Sequence, residues 1–167
     1  MKKTLKFQKM LRKNFQMFLF SFLFFLIFSN FSYAEKIECV VKKIVDGDTF
    51  YCSTWNNKTI KVRMYCIDTP EKGQKHYKEA KEYLKSLIYQ KIVILDIKKR
   101  DRYKRYVAEV FLKECKNNIN ILMIKKSLAY PSPQKWIKCP EIYYKNFHGA
   151  DFRPPWEYRK SKKTKNH

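Results

Sequence analysis

The chain has 167 residues, a length that suits one domain with additional segments. It carries 37 lysines and arginines against 15 acids, so its formal net charge is +22. A charge of this sign attracts polyanions, with nucleic acid as the first candidate and an anionic membrane or cell-wall polymer as the second. The five cysteines include no C-x-x-C pair, which argues against a zinc site.

Residues 1–34 have the pattern of a secretory signal peptide. A basic head without acids precedes the apolar run Phe15–Phe28, and small residues at Ser32 and Ala34 form a cleavage signal. An uncleaved membrane anchor is the alternative, although the run is shorter than the ~20 residues that a span needs. We therefore expect an exported protein, periplasmic or secreted, with membrane contact only through this segment. Residues 35–167 keep 31 basic and 15 acidic residues, a net charge of +16.

Three β-rich runs open the exported part. They cover Ile37–Val45, Thr49–Trp55 and Thr59–Tyr65, and turn signals separate them at Asp46-Gly47 and Asn56-Asn57. The third run alternates apolar and charged residues. These features predict three meandering strands.

A helix, two strands and a second helix are predicted next. Gln74–Tyr89 has apolar residues at helical spacing, Lys91–Ile97 and Tyr103–Leu112 are strand-like, and Ile119–Tyr130 is helical again. The order β-β-β-α-β-β-α matches a mainly β domain with helices, the five-stranded barrel of the oligonucleotide-binding (OB) fold. We place this domain at residues 35–130.

The character of the chain changes at residues 131–167. This segment is rich in proline and aromatic residues, which is too aromatic a composition for plain disorder. We expect an irregular C-terminal appendage wrapped on the barrel. Its last stretch, residues 159–167, is basic without acids and is predicted to be a loose tail.

All five cysteines lie in the exported part, where disulfides can form. Cys39 and Cys52 are symmetric about the Asp46-Gly47 turn, so they can face each other across the first hairpin. Buried free thiols are an equal alternative. Because the count is odd, at least one thiol stays unpaired in a monomer.

Two aspartates, Asp48 and Asp68, lie at equal sequence distances from Lys58 in the Asn56-Asn57 turn region. If the flanking strands pair as a hairpin, these acids become near-opposite neighbours, and a bound cation or a proton must offset their repulsion. Carboxylates with a backbone carbonyl suit a hard cation such as Ca²⁺, and the carbonyl of Thr69 is held by the following proline. For Asp46 alone, turn formation is the favoured interpretation.

Glu71, Arg63 and Arg105 are the candidates for chemistry on a phosphate. Glu71 can accept a proton from an attacking water, although alone it is equally an exposed loop acid paired with Lys72. A guanidinium matches two phosphoryl oxygens and stays charged. Arg63 shares its hairpin with both aspartates, whereas Arg105 has only the local pattern that begins at Asp101.

Three sequence blocks together resemble the signature of the staphylococcal thermonuclease family. They are Asp46-Gly47-Asp48-Thr49, Arg63 with Asp68-Thr69-Pro70-Glu71, and Asp101-x-Tyr103-x-Arg105-x-x-Ala108. The resemblance covers about residues 37–130, in matching order and spacing. It implies the same barrel and a calcium-dependent phosphodiesterase that hydrolyses DNA and RNA and leaves 3′-phosphate ends.

The resemblance also implies roles for individual residues. Asp48 and Asp68 would bind Ca²⁺ through their carboxylates and Thr69 through its carbonyl. Glu71 would activate or orient water, and Arg63 and Arg105 would bind the scissile phosphate. Tyr103 matches a tyrosine near the bound nucleotide. The family's lysine-rich third helix is expected to be replaced here by the C-terminal appendage.

These observations together predict an exported, monomeric, calcium-dependent nuclease that acts on DNA and RNA in single-stranded or locally open form. A non-catalytic nucleic-acid-binding OB module is the first alternative, and loss of Arg63, Glu71 or Arg105 would favour it. A membrane-tethered envelope-binding protein driven by charge is the second, but it leaves the carboxylate cluster unexplained.

Overall fold

The structure, a computed structural model, describes residues 36–133 and 137–165. The predicted signal peptide of residues 1–34 lies outside these ranges and stays a prediction. In the described ranges, no helix combines the length and the apolar character that crossing a bilayer requires.

The described part contains seven strands and four helices. The strands are β1 (Lys36–Ile44), β2 (Thr49–Thr54), β3 (Thr59–Met64), β4 (Ile67–Asp68), β5 (Ile92–Arg100), β6 (Tyr106–Leu112) and β7 (Tyr130–Pro131). The helices are α1 (Tyr77–Ile88), α2 (Ile119–Lys125), α3 (Glu141–Lys145) and α4 (Pro155–Lys165).

Five of the strands close into a barrel in the order β1-β2-β3-β6-β5. β1 pairs antiparallel with β2 and β5, and β3 pairs parallel with β6. Closure removes the unpaired sheet edges that an open five-stranded sheet would leave. The predicted fold, a mainly β OB-type barrel with helices, is confirmed.

Alternation along the strands fills the barrel. In β3, Ile60, Val62 and Met64 are buried, while Arg63 points to the other face. Helix α1 adds Ala80, Leu84 and Ile88, spaced four residues apart on one face. Burial of each large apolar side chain contributes roughly 1.5–3 kcal/mol, so this core fixes the strands that carry the polar residues described below.

The helices are shorter than the sequence predicts. Helix α1 begins at Tyr77 because Gly73 and His76 both have positive φ, which helical backbone does not allow. Helix α2 ends at Lys125, and Ser127 has φ 58°. The residues that follow α2 instead form β7, which pairs with β4.

The C-terminal segment contains two helices, so the predicted loose tail from residue 159 is wrong for the residues described to 165. Helix α4 is rich in lysine and packs beside Gly73, where an added Cβ would lie 2.9 Å from the Tyr158 hydroxyl. The consecutive prolines Pro154 and Pro155 suit a helix start. The composition of this stretch indicated that it is basic, but it did not indicate that the stretch packs beside Gly73 as a helix.

Two disulfides answer the question that the sequence left open. Cys39 bonds Cys52 across the first hairpin, and Cys66 bonds Cys139 over a separation of 73 residues. Cys115 is a free, exposed thiol. The second bond ties the turn after β3 to the segment that leads into the C-terminal helices.

Candidate active site

One cavity of about 650 Å³ is lined by all the residues to which the sequence assigned catalysis, metal binding or nucleotide binding. Its lining includes Asp48, Arg63, Asp68, Thr69, Glu71, Tyr103 and Arg105. These residues come from three chain segments, which the barrel and the β5–β6 connection bring to one place.

The turn after β1 delivers the first carboxylate. The Asp48 backbone N–H donates to Asp46 Oδ1 at 3.1 Å, which shapes the turn. A Cβ at Gly47 would lie 2.9 Å from both Ala80 and Thr69, so only glycine lets this turn approach α1 so closely. Asp48 is therefore held 5% exposed beside the segment that follows β4.

Both oxygens of the Asp48 carboxylate accept hydrogen bonds. Its Oδ1 accepts from the Thr49 hydroxyl at 3.0 Å. Its Oδ2 accepts from the Thr69 backbone N–H at 3.0 Å and from the Thr69 hydroxyl at 2.9 Å. These hydrogen bonds satisfy polar atoms of a buried side chain. They also fix Thr69 against Asp48, while the role of the Thr69 carbonyl stays a prediction.

Arg63 joins the two aspartates. Its Nη1 lies 2.9 Å from Asp48 Oδ2, and its Nη2 lies 3.2 Å from Asp68 Oδ1. The two acids therefore converge, as the sequence predicted. The prediction that they are opposite residues of a hairpin is wrong. In the observed register Met64 faces Asp48, and Asp68 comes back only after a turn in which Cys66 has φ 58°.

Arg159 of α4 is a site residue that sequence reasoning missed. Its Nη2 lies 2.7 Å from Asp68 Oδ2, and its Nη1 lies 2.5 Å from Glu71 Oε1. The Arg159 side chain is 42% exposed, whereas that of Asp68 is only 7% exposed. No local pattern marks this arginine among its basic neighbours, because its partners lie about 90 residues earlier.

Burial raises the pKa of the acids on the cavity floor. The pKa of Asp46 rises to about 7, first because the carboxyl is buried and second because Asp48 is negative. Burial also raises the pKa of Asp68, against the opposing effects of Arg159 and Arg63. The two guanidinium groups favour the ionised form of Asp68, whereas burial favours the neutral form.

The β5–β6 connection adds Arg102, Tyr103 and Arg105 to the lining of the cavity. Asp101 accepts from the backbone N–H groups of Tyr103 and Arg105 at 2.9 and 3.0 Å, which shapes the loop. Its Oδ2 also accepts from Arg105 Nε at 2.7 Å, so the guanidinium is oriented through one edge. The Arg105 carbon Cζ lies 5.4 Å from the Tyr103 ring centroid, and that ring is 63% exposed.

The donor set at Asp48 and Asp68 suits a hard cation in kind. The donors are the oxygens of two carboxylates, and the Thr69 hydroxyl lies beside that of Asp48. Both carboxylates form ion pairs with Arg63. In residues 36–133 and 137–165, no group of three or more His, Cys, Asp or Glu residues is placed to hold a metal ion. Asp48 and Asp68 would supply two carboxylates to a divalent cation, and most of its oxygen shell would come from other donors.

The arrangement is chemically fit for a phosphodiester. Arg63 and Arg105 each present a guanidinium to one cavity, and Glu71 lies at the same cavity with its side chain 40% exposed. Guanidinium groups bind phosphoryl oxygens in a planar fork. A carboxylate near a bound phosphate can take a proton from water.

Comparisons with known proteins agree with this chemistry. Relatives include a Haemophilus influenzae protein named "Uncharacterized endonuclease", 47% identical over 100 residues, which are 60% of this chain and 55% of that protein. A "Micrococcal nuclease" of Shigella flexneri is 33% identical over 97 residues, or 54% of this chain and 55% of that protein. The "Uncharacterized 38.1 kDa protein" of Capnoides sempervirens is 32% identical over 144 residues, and the match covers 77% of this chain and 42% of that protein.

The chain spans about half the length of these curated relatives. The profile described as "Staphylococcal nuclease homologue" matches residues 61–149, more than half of the chain. The matched range holds Arg63, Asp68, Glu71 and Arg105, which face the cavity. On the strength of this match and the closed barrel, the chain belongs to the staphylococcal nuclease homologue family.

Proposed function

We propose that the protein is a nuclease that hydrolyses phosphodiester bonds of DNA and RNA with the help of a divalent cation. The single observation that carries the proposal is the convergence of Asp48, Asp68, Arg63, Arg105 and Glu71 on one cavity. None of these residues is required there by packing, because apolar residues would fill the same space without the desolvation cost of charges.

The arginines bind and orient the phosphate. Arg105 is aimed by Asp101 through Nε, and its terminal nitrogens make no hydrogen bond within the described residues. Arg63 is aimed by the acids and by the Met64 carbonyl, 3.2 Å from Nη1. Preorganised cations of this kind stabilise negative charge that grows on phosphorus in the transition state. Tyr103 stands beside Arg105 as a contact for the nucleotide.

Glu71 acts as the residue that orients or deprotonates water. Its backbone N–H donates to the Gln74 side chain at 2.7 Å, which fixes the loop that presents the carboxylate. Its carboxylate binds Arg159 in this structure, so the side chain is directed into the cavity. A base within hydrogen-bond reach of water contributes typically about 10²- to 10⁴-fold in rate.

Asp48, Asp68 and Thr69 would hold the cation, for which we propose Ca²⁺ because every donor is oxygen. When bound, such an ion neutralises phosphoryl charge and lowers the pKa of coordinated water. Products with 3′-phosphate ends and the Ca²⁺ requirement rest on the family resemblance of the three sequence blocks. Export rests on the composition of residues 1–34, and amino-terminal sequencing of the protein recovered outside the cytoplasm tests it.

Cleavage of single-stranded DNA and of RNA, with Ca²⁺ or with a chelator, tests the function. We expect cleavage that needs the cation and falls at least 100-fold in Glu71→Gln. Glu82→Gln is the matched control, because Glu82 is an exposed acid of α1 outside the cavity. Analysis of the product ends decides between 3′- and 5′-phosphates.

Two results would count against the proposal. Tight binding with intact strands in every condition would indicate a non-catalytic nucleic-acid-binding module instead. Cleavage that survives both the chelator and Glu71→Gln would show that the assigned residues do not perform the reaction.

A further inference from the structure

One face of α4 forms a wall of the candidate active site. Arg159, Lys160 and Lys163 line the same cavity as Arg63 and Arg105. Lys163 lies three residues from Lys160 and four from Arg159, so it is a neighbour of both on the helix surface. The C-terminal segment therefore contributes a positively charged surface next to the place where a scissile phosphate would bind.

The helix is fixed at the cavity and does not merely lie near it. Arg159 forms ion pairs with Asp68 and Glu71. On an adjacent face, Lys162 Nζ donates to the Lys72 carbonyl oxygen at 3.1 Å. These contacts tie α4 to the loop that carries the candidate cation ligands and the candidate base.

Lys160 and Lys163 differ from these anchoring residues. Both are exposed, and neither forms an ion pair with any residue that the structure describes. Glu157, the acid of this helix, pairs with Arg153 instead. The two lysines are three residues apart in the helix, so they are neighbours on its surface, with about 5–6 Å between their Cβ atoms.

We propose that Lys160 and Lys163 bind the phosphates of a nucleic-acid strand that adjoin the scissile one. The ligand is a strand of several nucleotides, because the phosphates that adjoin the scissile one belong to neighbouring nucleotides. Lysine contacts to phosphates carry no sequence information, so this subsite is indifferent to base identity. The inference rests on the proposed function, since it takes the ligand to be nucleic acid.

The test compares two double variants of the purified protein with the unaltered one. Lys160→Gln/Lys163→Gln removes the proposed contacts. Lys42→Gln/Lys43→Gln removes the same charge from two exposed lysines of β1 that do not line the cavity. At 0.1 M salt the Debye length is about 10 Å, so charges beyond that range contribute little to binding. Equal urea midpoints in all three proteins establish that the fold is intact.

Binding of a labelled 12-nucleotide single strand is measured from 0.05 to 0.5 M monovalent salt, with a chelator so that the strand stays intact. Each phosphate contact on a single strand adds about 0.7 to the slope of log affinity against log salt. Loss of two contacts lowers the slope by about 1.4, which is about 25-fold weaker binding at 0.1 M if the affinities converge at 1 M. We expect this change in the α4 variant and not in the β1 variant.

Identical slopes for the two double variants would overturn the inference, while strand binding by all three proteins would leave the proposed function standing. Absence of strand binding by the unaltered protein would overturn the inference as well. The cleavage assay with Glu71→Gln decides the proposed function separately, because it measures bond hydrolysis and not affinity.

Discussion

The disulfide between Cys66 and Cys139 allows a stability prediction whose size follows from the topology. It closes a loop of 73 residues that contains α1, β5, β6 and α2. A cross-link restricts the unfolded chain more strongly as the loop grows. The chain-entropy relation gives about 4 kcal/mol for a loop of this length at 25 °C.

The disulfide between Cys39 and Cys52 is the internal control, because its loop spans only 13 residues. The same relation gives about 3 kcal/mol for that length. All four sulfur atoms belong to buried residues, so replacing either pair with alanine removes similar packing. The difference between the two pairs, about 1 to 1.5 kcal/mol, then reports on loop length.

Urea unfolding under non-reducing conditions measures the effect, with Cys115→Ala as the common background. Cys115 is exposed and unpaired, so its replacement should change stability by less than about 0.5 kcal/mol while preventing disulfide exchange. Against this background we expect Cys66→Ala/Cys139→Ala to lose about 4 kcal/mol and Cys39→Ala/Cys52→Ala about 3 kcal/mol. Since whole domains have about 5–15 kcal/mol of stability, both losses are easily resolved.

Equal losses, or a larger loss for the short loop, would refute the loop-entropy reasoning. Such a result would locate the stabilisation in native packing around the sulfur atoms. A changed slope of free energy against urea in one variant would instead indicate that its unfolded state has become more compact or more open.

Three further predictions concern single side chains. Asn120 is fully buried and bonds the backbone of β6 and the Tyr65 carbonyl, so Asn120→Ala should cost about 3 kcal/mol in urea unfolding; a loss under 1 kcal/mol would contradict this. Arg159→Gln should lower the free energy of unfolding by about 1–2 kcal/mol. Because Arg159 competes with Ca²⁺ for Asp68, the same variant should bind Ca²⁺ more tightly in calorimetry; weaker binding would contradict this competition. Asp101→Asn should lower kcat/KM on single-stranded DNA about tenfold, because Arg105 loses its orienting partner at 2.7 Å; unchanged kinetics would show that Asp101 does not orient it.

Much of the fold could be predicted from local chemistry. Three features depend only on residues a few positions apart and can therefore be predicted from the sequence. They are the turn at Asp46-Gly47, the alternation through β3 and the apolar stripe of α1. The predicted ends of the helices were wrong. Helix α1 begins later than the pattern predicts because positive φ values at Gly73 and His76 interrupt the backbone, which apolar spacing does not reveal.

The residues of the candidate site could also be named in advance, but not their arrangement. The turn after β1 and the loop after β4 meet because Gly47 leaves room for Thr69. Hairpin symmetry predicted the right pair of aspartates for the wrong reason, since Asp68 reaches Arg63 only through the turn at Cys66.

The sequence by itself determined the barrel, the identity of the charged residues on its surface and the excess of basic groups. The tertiary structure alone decided that Arg159 meets Asp68 and Glu71, and that Cys66 bonds Cys139. The physical reason is range. Turn chemistry and strand alternation act between near neighbours, whereas these contacts join residues more than 70 positions apart and form only once the barrel brings distant segments together.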